Sequence, residues 1–166
     1  QLAPLFKWWI SKCYRLGDHI ITPTEYSKSL LESYNLNRPI TAISNGIDMR
    51  FFERDEEGGR EFRKKFGYKE TDKVVMGLGL YLERKGILDF VSMARRMPEY
   101  KFIWFGYSPL TFSPRKIKKA VRTKLDNLYF AGYQEPDIIK QAYSGCDVYV
   151  FPTLEEKLDV MVQHIS

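Results

Sequence analysis

Two kinds of apolar pattern alternate along this chain. Short, nearly continuous apolar runs rich in β-branched and aromatic residues predict strands at His19–Thr22, Thr41–Ser44, Lys73–Gly79, Lys101–Phe105, Leu128–Ala131 and Asp147–Phe151. Between them, stretches with helical spacing predict helices at about Pro4–Arg15, Glu25–Tyr34, Arg60–Phe66, Ile87–Met97, Pro114–Leu125 and Asp137–Ser144. Strands that read as unbroken apolar runs are those buried on both faces of a parallel sheet. Strand and helix in alternation therefore imply an α/β, Rossmann-like parallel sheet with flanking helices and right-handed crossovers.

Several boundaries carry their own chemistry. Thr24 is placed to N-cap the second helix, with Glu25 complementing the dipole in its first turn. Ser113-Pro114 offers an N-cap followed by proline at the first helical position. Gly67 follows a basic last turn, as a C′ glycine does. Residues 49–59 break the pattern: Met49-Arg50-Phe51-Phe52 runs into the acidic stretch Glu53 to Glu57 and then Gly58-Gly59, which reads as a surface connection near a domain boundary. From Glu155 to Ser166 the chain has a helical look and stops inside that segment.

Composition narrows the picture. The 166 residues suit one domain or a piece of a larger protein, and the start Gln1-Leu2-Ala3-Pro4 suggests a fragment. No apolar run approaches the roughly 18–20 residues that span a bilayer. Cys13 and Cys146 sit in no metal or redox spacing and read as two buried, unpaired thiols. His19 reads as structural, and no Ser-His-Asp or Cys-His arrangement follows from spacing. A net charge of +5 favours anionic partners without choosing among nucleotides, anionic lipid and nucleic acid. Nucleic acid is disfavoured, because no RNP-like motif, basic–aromatic sheet face or helix-turn-helix is present.

The chemistry concentrates in residues 74–86, Val-Val-Met-Gly-Leu-Gly-Leu-Tyr-Leu-Glu-Arg-Lys-Gly. An apolar strand enters Gly77-Leu78-Gly79, and a short loop ends in the basic pair Arg84-Lys85, where a helix starts at Gly86. This is how a doubly wound fold meets a phosphorylated ligand: glycines let the backbone approach, while cations and a helix N-terminus face the charge. Upstream lies Ser44-Asn45-Gly46-Ile47-Asp48, and downstream lie Phe105-Gly106, Phe130-Ala131-Gly132-Tyr133, and Asp147 to Thr153 followed by Leu154-Glu155-Glu156.

In this order the motifs resemble retaining, GT-B-fold glycosyltransferases of family 4. The segment Gly79 to Ile87 resembles in particular the bacterial diacylglycerol glucosyltransferases, which build membrane glycolipids. The resemblance implies two Rossmann-like domains facing a cleft. Residues 1–46 are then the last elements of an N-terminal acceptor domain, most of which is missing, with Asn45-Gly46 opening the linker. Residues 47–166 are an incomplete nucleotide-sugar (donor) domain. It implies hexosyl transfer, of glucose from UDP-glucose, to a lipid such as diacylglycerol or its monoglucosyl derivative. The donor is a substrate, no cofactor or metal is needed, and the protein sits in the cytoplasm, peripheral at the inner face of the cell membrane.

The resemblance also assigns roles. Arg84 and Lys85 bind the donor diphosphate and stabilise the leaving group. Glu156 holds donor-sugar hydroxyls, with Glu155 beside it in the donor site. Gly77 and Gly79 form the phosphate loop, Gly106 ends a strand at the ligand edge, and Gly132-Tyr133 contacts the base. The chain departs from the family pattern at Leu80, where an arginine is frequent, at Asp159, where a glycine is expected, and at His164, where a ribose-binding glutamate is expected. A divergent end, a pseudo-enzyme, a truncation and a reading-frame change remain the alternatives for that segment. The competing function is therefore a non-catalytic nucleotide-binding remnant, and either way the chain alone is expected to lack transferase activity. Two basic segments could meet an anionic membrane surface: Leu5 to Lys12, with Trp8 and Trp9, and the helix Pro114 to Lys124, with Ile117, Val121 and Leu125 on one stripe. Each has a plainer reading, in which the apolar residues pack on the protein and the lysines are solvated.

Overall fold

The computed structural model describes residues 3–154 and 161–164. The chain divides into two units at Met49/Arg50. The first contains α1 (Ala3–Arg15), β1 (Ile20–Thr22), α2 (Glu25–Glu32) and β2 (Ile40–Ala42). β1 and β2 pair in parallel, and Ile20, Leu31 and Leu36 form a small core with Tyr34 and Ile40 packed against it. Thr24 caps α2 as expected, its side chain accepting from the Ser27 N–H at 3.0 Å. His19 lies just before β1, and its Nε2 shares a 2.8 Å hydrogen bond with the Thr41 hydroxyl.

The second unit contains α3 (Glu56–Phe66), β3 (Val74–Leu78), α4 (Ile87–Arg96), β4 (Lys101–Phe105), α5 (Arg115–Val121), β5 (Leu128–Gly132), α6 (Pro136–Gly145), β6 (Val148–Phe151) and β7 (Met161–His164). The sheet order is β5-β4-β3-β6-β7, with the first four strands parallel. The unbroken apolar strands do what their pattern requires and cover both faces. Val75, Phe102 and Trp104 pack with Ile87, Phe90, Ala94 and Ile117 of α4 and α5. Val74, Met76, Ile103 and Phe105 face the other way, onto Phe62 of α3 and Ala142 of α6.

Four expectations are corrected. The acidic stretch is not a connection: α3 starts at Glu56, and Asp55 caps it by accepting from the Gly58 N–H at 2.9 Å. Gly58 and Gly59 are buried in its first turn. They are needed there because α3 and α6 approach backbone to backbone; a Cβ on Gly59 would stand 2.8 Å from the Ser144 carbonyl oxygen. Ser113 does not cap α5. Its hydroxyl donates to the Pro109 carbonyl at 3.2 Å, and Pro114 itself occupies the N-cap. Cys13 is exposed, while Cys146 is buried, which pushes its thiol up to about 12. Finally, part of the expected C-terminal helix is β7, an antiparallel edge strand along β6, where it meets backbone groups that β3 leaves unpaired on that side.

The amino edge of the second sheet is locked by polar groups. Arg63 donates from Nη2 to Asp147 Oδ2 at 2.8 Å and from Nε to the Gly145 carbonyl at 2.8 Å. Lys73 and the Val74 N–H also donate to the Asp147 carboxylate, at 3.0 and 2.9 Å. Burial works to raise the Asp147 pKa, but the Val74 hydrogen bond, Lys73 and Arg63 outweigh it and hold the carboxyl below its ordinary value. Asn127 completes the edge, its buried amide donating to the carbonyls of Ala94, Met97 and Tyr100.

Two stability outcomes follow. Gly59→Ala adds a methyl where α6 backbone already stands, and overpacking outweighs the gain in helix propensity, so urea denaturation reports a loss of about 1–2 kcal/mol. Because the Asp147 pKa is lowered in the fold, its contribution is complete above the ordinary value of 3.8 and is lost as pH falls through and below it. Melting of the parent chain therefore falls more steeply with acidification in that range than melting of Asp147→Asn, which starts lower.

Candidate functional site

The parallel strands end together at one edge, and their order defines where a ligand is held. β4 and β5 lie on one side of β3 and β6 on the other. Connections leaving β3 and β6 therefore diverge, and the gap between their carboxyl ends is the topological switch point at which ligands collect in open α/β sheets. The glycine loop, Arg84-Lys85 and the segment after β6 all converge there.

The loop is held from below and from the side. Gly79 donates its N–H to the Phe105 carbonyl at 2.9 Å, and the buried Trp104 indole Nε1–H donates to the Gly79 carbonyl at 2.9 Å. Gly106 donates to the Gly132 carbonyl at 2.8 Å, so the ends of β3, β4 and β5 are stitched in series. A Cβ on Gly106 would meet the Gly79 oxygen at 2.2 Å, so this stitch requires glycine. The Tyr81 N–H donates to the Ser108 hydroxyl at 3.0 Å, and the buried Tyr81 ring packs edge-on against Phe130 and Tyr107.

A 3₁₀ turn, Glu83–Lys85, carries the cations. The Arg84 carbonyl accepts two hydrogen bonds from the segment after β6: from the Thr153 hydroxyl at 2.8 Å and from the Leu154 N–H at 2.9 Å. The Arg84 side chain is exposed. The Lys85 stem lies 3.4 Å from the position of a Gly79 Cβ, and its ammonium stands 5.1 Å from the Phe151 ring centroid. Glu83 pairs with Lys116 of α5. Gly86 then turns the chain into α4 rather than beginning it, in the left-handed region at φ 74°. The N-terminus of α4 thus opens at the same edge, presenting the positive end of its dipole. Leu82, Glu83, Arg84 and Leu154 line an open depression of about 480 Å³ beside the turn.

The structure brings together Gly79, Arg84 and Lys85 with the start of the segment that carries the glutamates. Gly106, Gly132 and Tyr133 line the neighbouring strand ends, with Tyr133 69% exposed. Gly77 has a different place from the one expected. It lies inside β3, and a Cβ there would stand 2.5 Å from the Trp104 ring, so its missing side chain makes room for the indole rather than for a ligand. Glu155, Glu156 and Asp159 lie outside the described residues, and His164 falls in β7. Sequence reasoning passed over Trp104, and it took Pro152 and Thr153 only as part of a motif, without their contacts to the turn at Arg84 and Gly86. The available signal was positional: Thr153 follows a strand end and a proline, where chain direction is constrained.

A parallel sheet with helices on both faces, switching direction beside a glycine loop with a basic pair, is a fold shared with GT-B glycosyltransferases. Sucrose-phosphate synthase from Thermosynechococcus elongatus has this fold, with a TM-score of 0.69 at 17% identity over 86% of this chain and 37% of that one. Alr3699/HepE of Anabaena in complex with UDP gives 0.67 at 16% identity, over 84% and 39%. The family model of Glycosyltransferase Family 4 matches residues 1–51. The processive diacylglycerol alpha-glucosyltransferase of Acholeplasma laidlawii is 42% identical over 162 residues, 97% of this chain and 49% of that protein. The chain belongs to glycosyltransferase family 4, and it spans about half the length of the curated relatives it matches.

Gly86 sets a sharp test of the geometry. A Cβ there would meet the Pro152 oxygen at 1.8 Å, and a side chain at that φ is strained in any case. Gly86→Ala is expected to lower stability by about 4 kcal/mol or more in chemical denaturation, beyond the roughly 1–2 kcal/mol of strain at that φ. A loss of only about 1–2 kcal/mol, the φ strain alone, would show that the turn and the segment after β6 are not in contact.

Proposed function

We propose that this chain supplies the nucleotide-sugar side of a hexosyltransferase that moves glucose from UDP-glucose to a membrane lipid, diacylglycerol or its monoglucosyl derivative. The observation that carries the reading is the convergence of Gly79, Arg84-Lys85, the α4 N-terminus and the Thr153 clamp at the switch point. The name of the Acholeplasma laidlawii relative and the UDP complex of the Anabaena neighbour support the choice of acceptor and nucleotide.

In this reading the bond from the sugar anomeric carbon to the diphosphate oxygen breaks, and a bond from that carbon to a lipid hydroxyl oxygen forms on the same face. UDP leaves with the electron pair, and the hydroxyl proton is released. Arg84 and Lys85 meet the charge that grows on the diphosphate, with the helix N-terminus behind them, and no metal is assigned to that task. Glu156 and Glu155 hold the sugar, while Gly106 and Gly132-Tyr133 face the nucleoside. Residues 1–46 belong to the acceptor side. A lipid acceptor places the protein peripherally at the inner face of the cell membrane; among the described residues no helix is long and apolar enough to cross it.

Titration of the purified chain with UDP, with ADP and GDP as controls, reads the donor site directly. A ligand at about 100 times its dissociation constant adds about 2.7 kcal/mol, which a melting curve resolves. We expect a saturable, UDP-selective rise in Tm that disappears in Arg84→Ala/Lys85→Ala. No shift with any nucleotide overturns the donor site. A shift without sugar transfer, once an acceptor-side domain is supplied, leaves a nucleotide-binding remnant instead.

A further inference from the structure

The long connection from β4 to α5 holds a feature that nucleotide binding does not use. Phe112 at its tip is 97% exposed. The turn that carries it is nonetheless well tied. The Ser113 N–H donates to the Leu110 carbonyl at 3.1 Å, its hydroxyl donates to the Pro109 carbonyl at 3.2 Å, and Lys118 donates to the Thr111 carbonyl at 2.9 Å. A large aromatic ring is thus displayed in water by a turn hydrogen-bonded on both sides of it. Around it the charge is of one sign: from Tyr107 to Leu125 there are six cations, Arg115, Lys116, Lys118, Lys119, Arg122 and Lys124, and no acid.

The same region corrects one reading of the basic helix. Ile117 and Ala120 are buried at 1% and 6% exposure, and Val121 and Leu125 pack against the core. The apolar stripe of α5 is committed to the sheet and cannot turn outward into lipid. What remains outside is a cationic helix face and one projecting apolar side chain. That combination suits an anionic bilayer, which supplies long-range attraction to the cations and an apolar layer shallow enough for a single ring. Facing acids are few: Glu83 pairs with Lys116, and Asp89 lies in the first turn of α4, whose last turn is basic at Arg95 and Arg96.

We propose that Phe112 and the cationic face of α5 form a docking point for an anionic lipid surface, with the ring inserted and Arg115, Lys119 and Arg122 at the headgroups. This rests on the lipid-acceptor reading and adds to it a location. The connection leaves the carboxyl end of β4, the edge that holds the donor loop. A cavity of about 270 Å³ lined by Tyr81, Leu82, Phe112 and Pro114 joins the turn to that loop. Docking here brings the bilayer alongside the edge at which a lipid hydroxyl has to arrive.

Co-sedimentation of the full chain with phosphatidylcholine vesicles containing about one-third phosphatidylglycerol tests the assignment. We expect binding that weakens with salt and is absent from pure phosphatidylcholine. Phe112→Ala should weaken it about tenfold, as expected for removing one inserted ring, and Lys119→Glu/Arg122→Glu by at least as much. Both variants should keep the parent melting temperature and UDP response. Trp8→Ala/Trp9→Ala serves as the reference for the other basic, aromatic segment. The proposal is overturned if the parent ignores anionic vesicles, if Phe112→Ala binds them as tightly as the parent, or if an oligonucleotide competes the vesicles away. Loss of vesicle binding with the UDP response intact sinks only the docking point. Vesicle binding without any UDP response sinks the donor reading and leaves the surface standing.

Discussion

The Trp104 indole is the pivot of the second unit. Its ring fills the space that Gly77 leaves empty, and its N–H holds the Gly79 carbonyl. One side chain thereby joins the hydrophobic core to the glycine loop. The ring is fully buried, so its N–H must find an acceptor or lose a hydrogen bond in an apolar setting. The acceptor it finds is the backbone of the glycine loop itself. The loop is positioned by a group that cannot be satisfied elsewhere, and its geometry is inherited from core packing rather than from local turn preference. Gly106, Tyr81 and Ser108 then extend the support sideways along the strand ends.

The two edges of this sheet divide the work. At the amino edge, Arg63, Lys73, Asp147 and Asn127 spend their hydrogen-bonding capacity on one another and on the backbone, which ties α3, β3, β6 and the α4–β4 turn together. At the carboxyl edge most of the polar contacts are accepted by backbone carbonyls, and the exposed Arg84 side chain is carried on a turn pinned through its carbonyl. Pinning the carbonyl fixes where the side chain starts. The Thr153 hydroxyl and the Leu154 N–H share that acceptor, so the turn is tied to the residues that follow β6.

Much of this fold was legible in the residues, because buried parallel strands announce themselves as unbroken apolar runs. Six strands and six helices stand close to where the pattern puts them, and Thr24 and Gly67 cap as their chemistry suggests. The misreadings share one cause, which is that contact partners distant in sequence decide the local outcome. Gly58-Gly59 after an acidic run looks like a loop until α6, some 85 residues on, is seen to need the space. Gly77 looks like part of a ligand loop until the Trp104 ring is placed against it. The Thr153 clamp on Arg84 had only a positional signal, its place after a strand end and a proline. Arg84 and Lys85, by contrast, were readable as a pair because the strand–glycine–helix context is itself local.

The basic helix shows the same logic applied to charge. In sequence, Ile117, Val121 and Leu125 beside a row of lysines describe an amphipathic helix, and amphipathicity alone does not say which apolar medium the stripe faces. A sheet presents a fixed, closely packed apolar surface and a bilayer a fluid one; once the sheet and α4 offer Phe102, Trp104 and Phe90 at that face, Ile117 is buried there and Val121 and Leu125 pack against it. The lysines are then left on the outer face with nothing apolar of their own to offer. Phe112 supplies it from the adjoining turn. The apolar side chain that a surface-seeking helix would carry within its own stripe is here carried one turn earlier, outside the helix, where the core has no use for it.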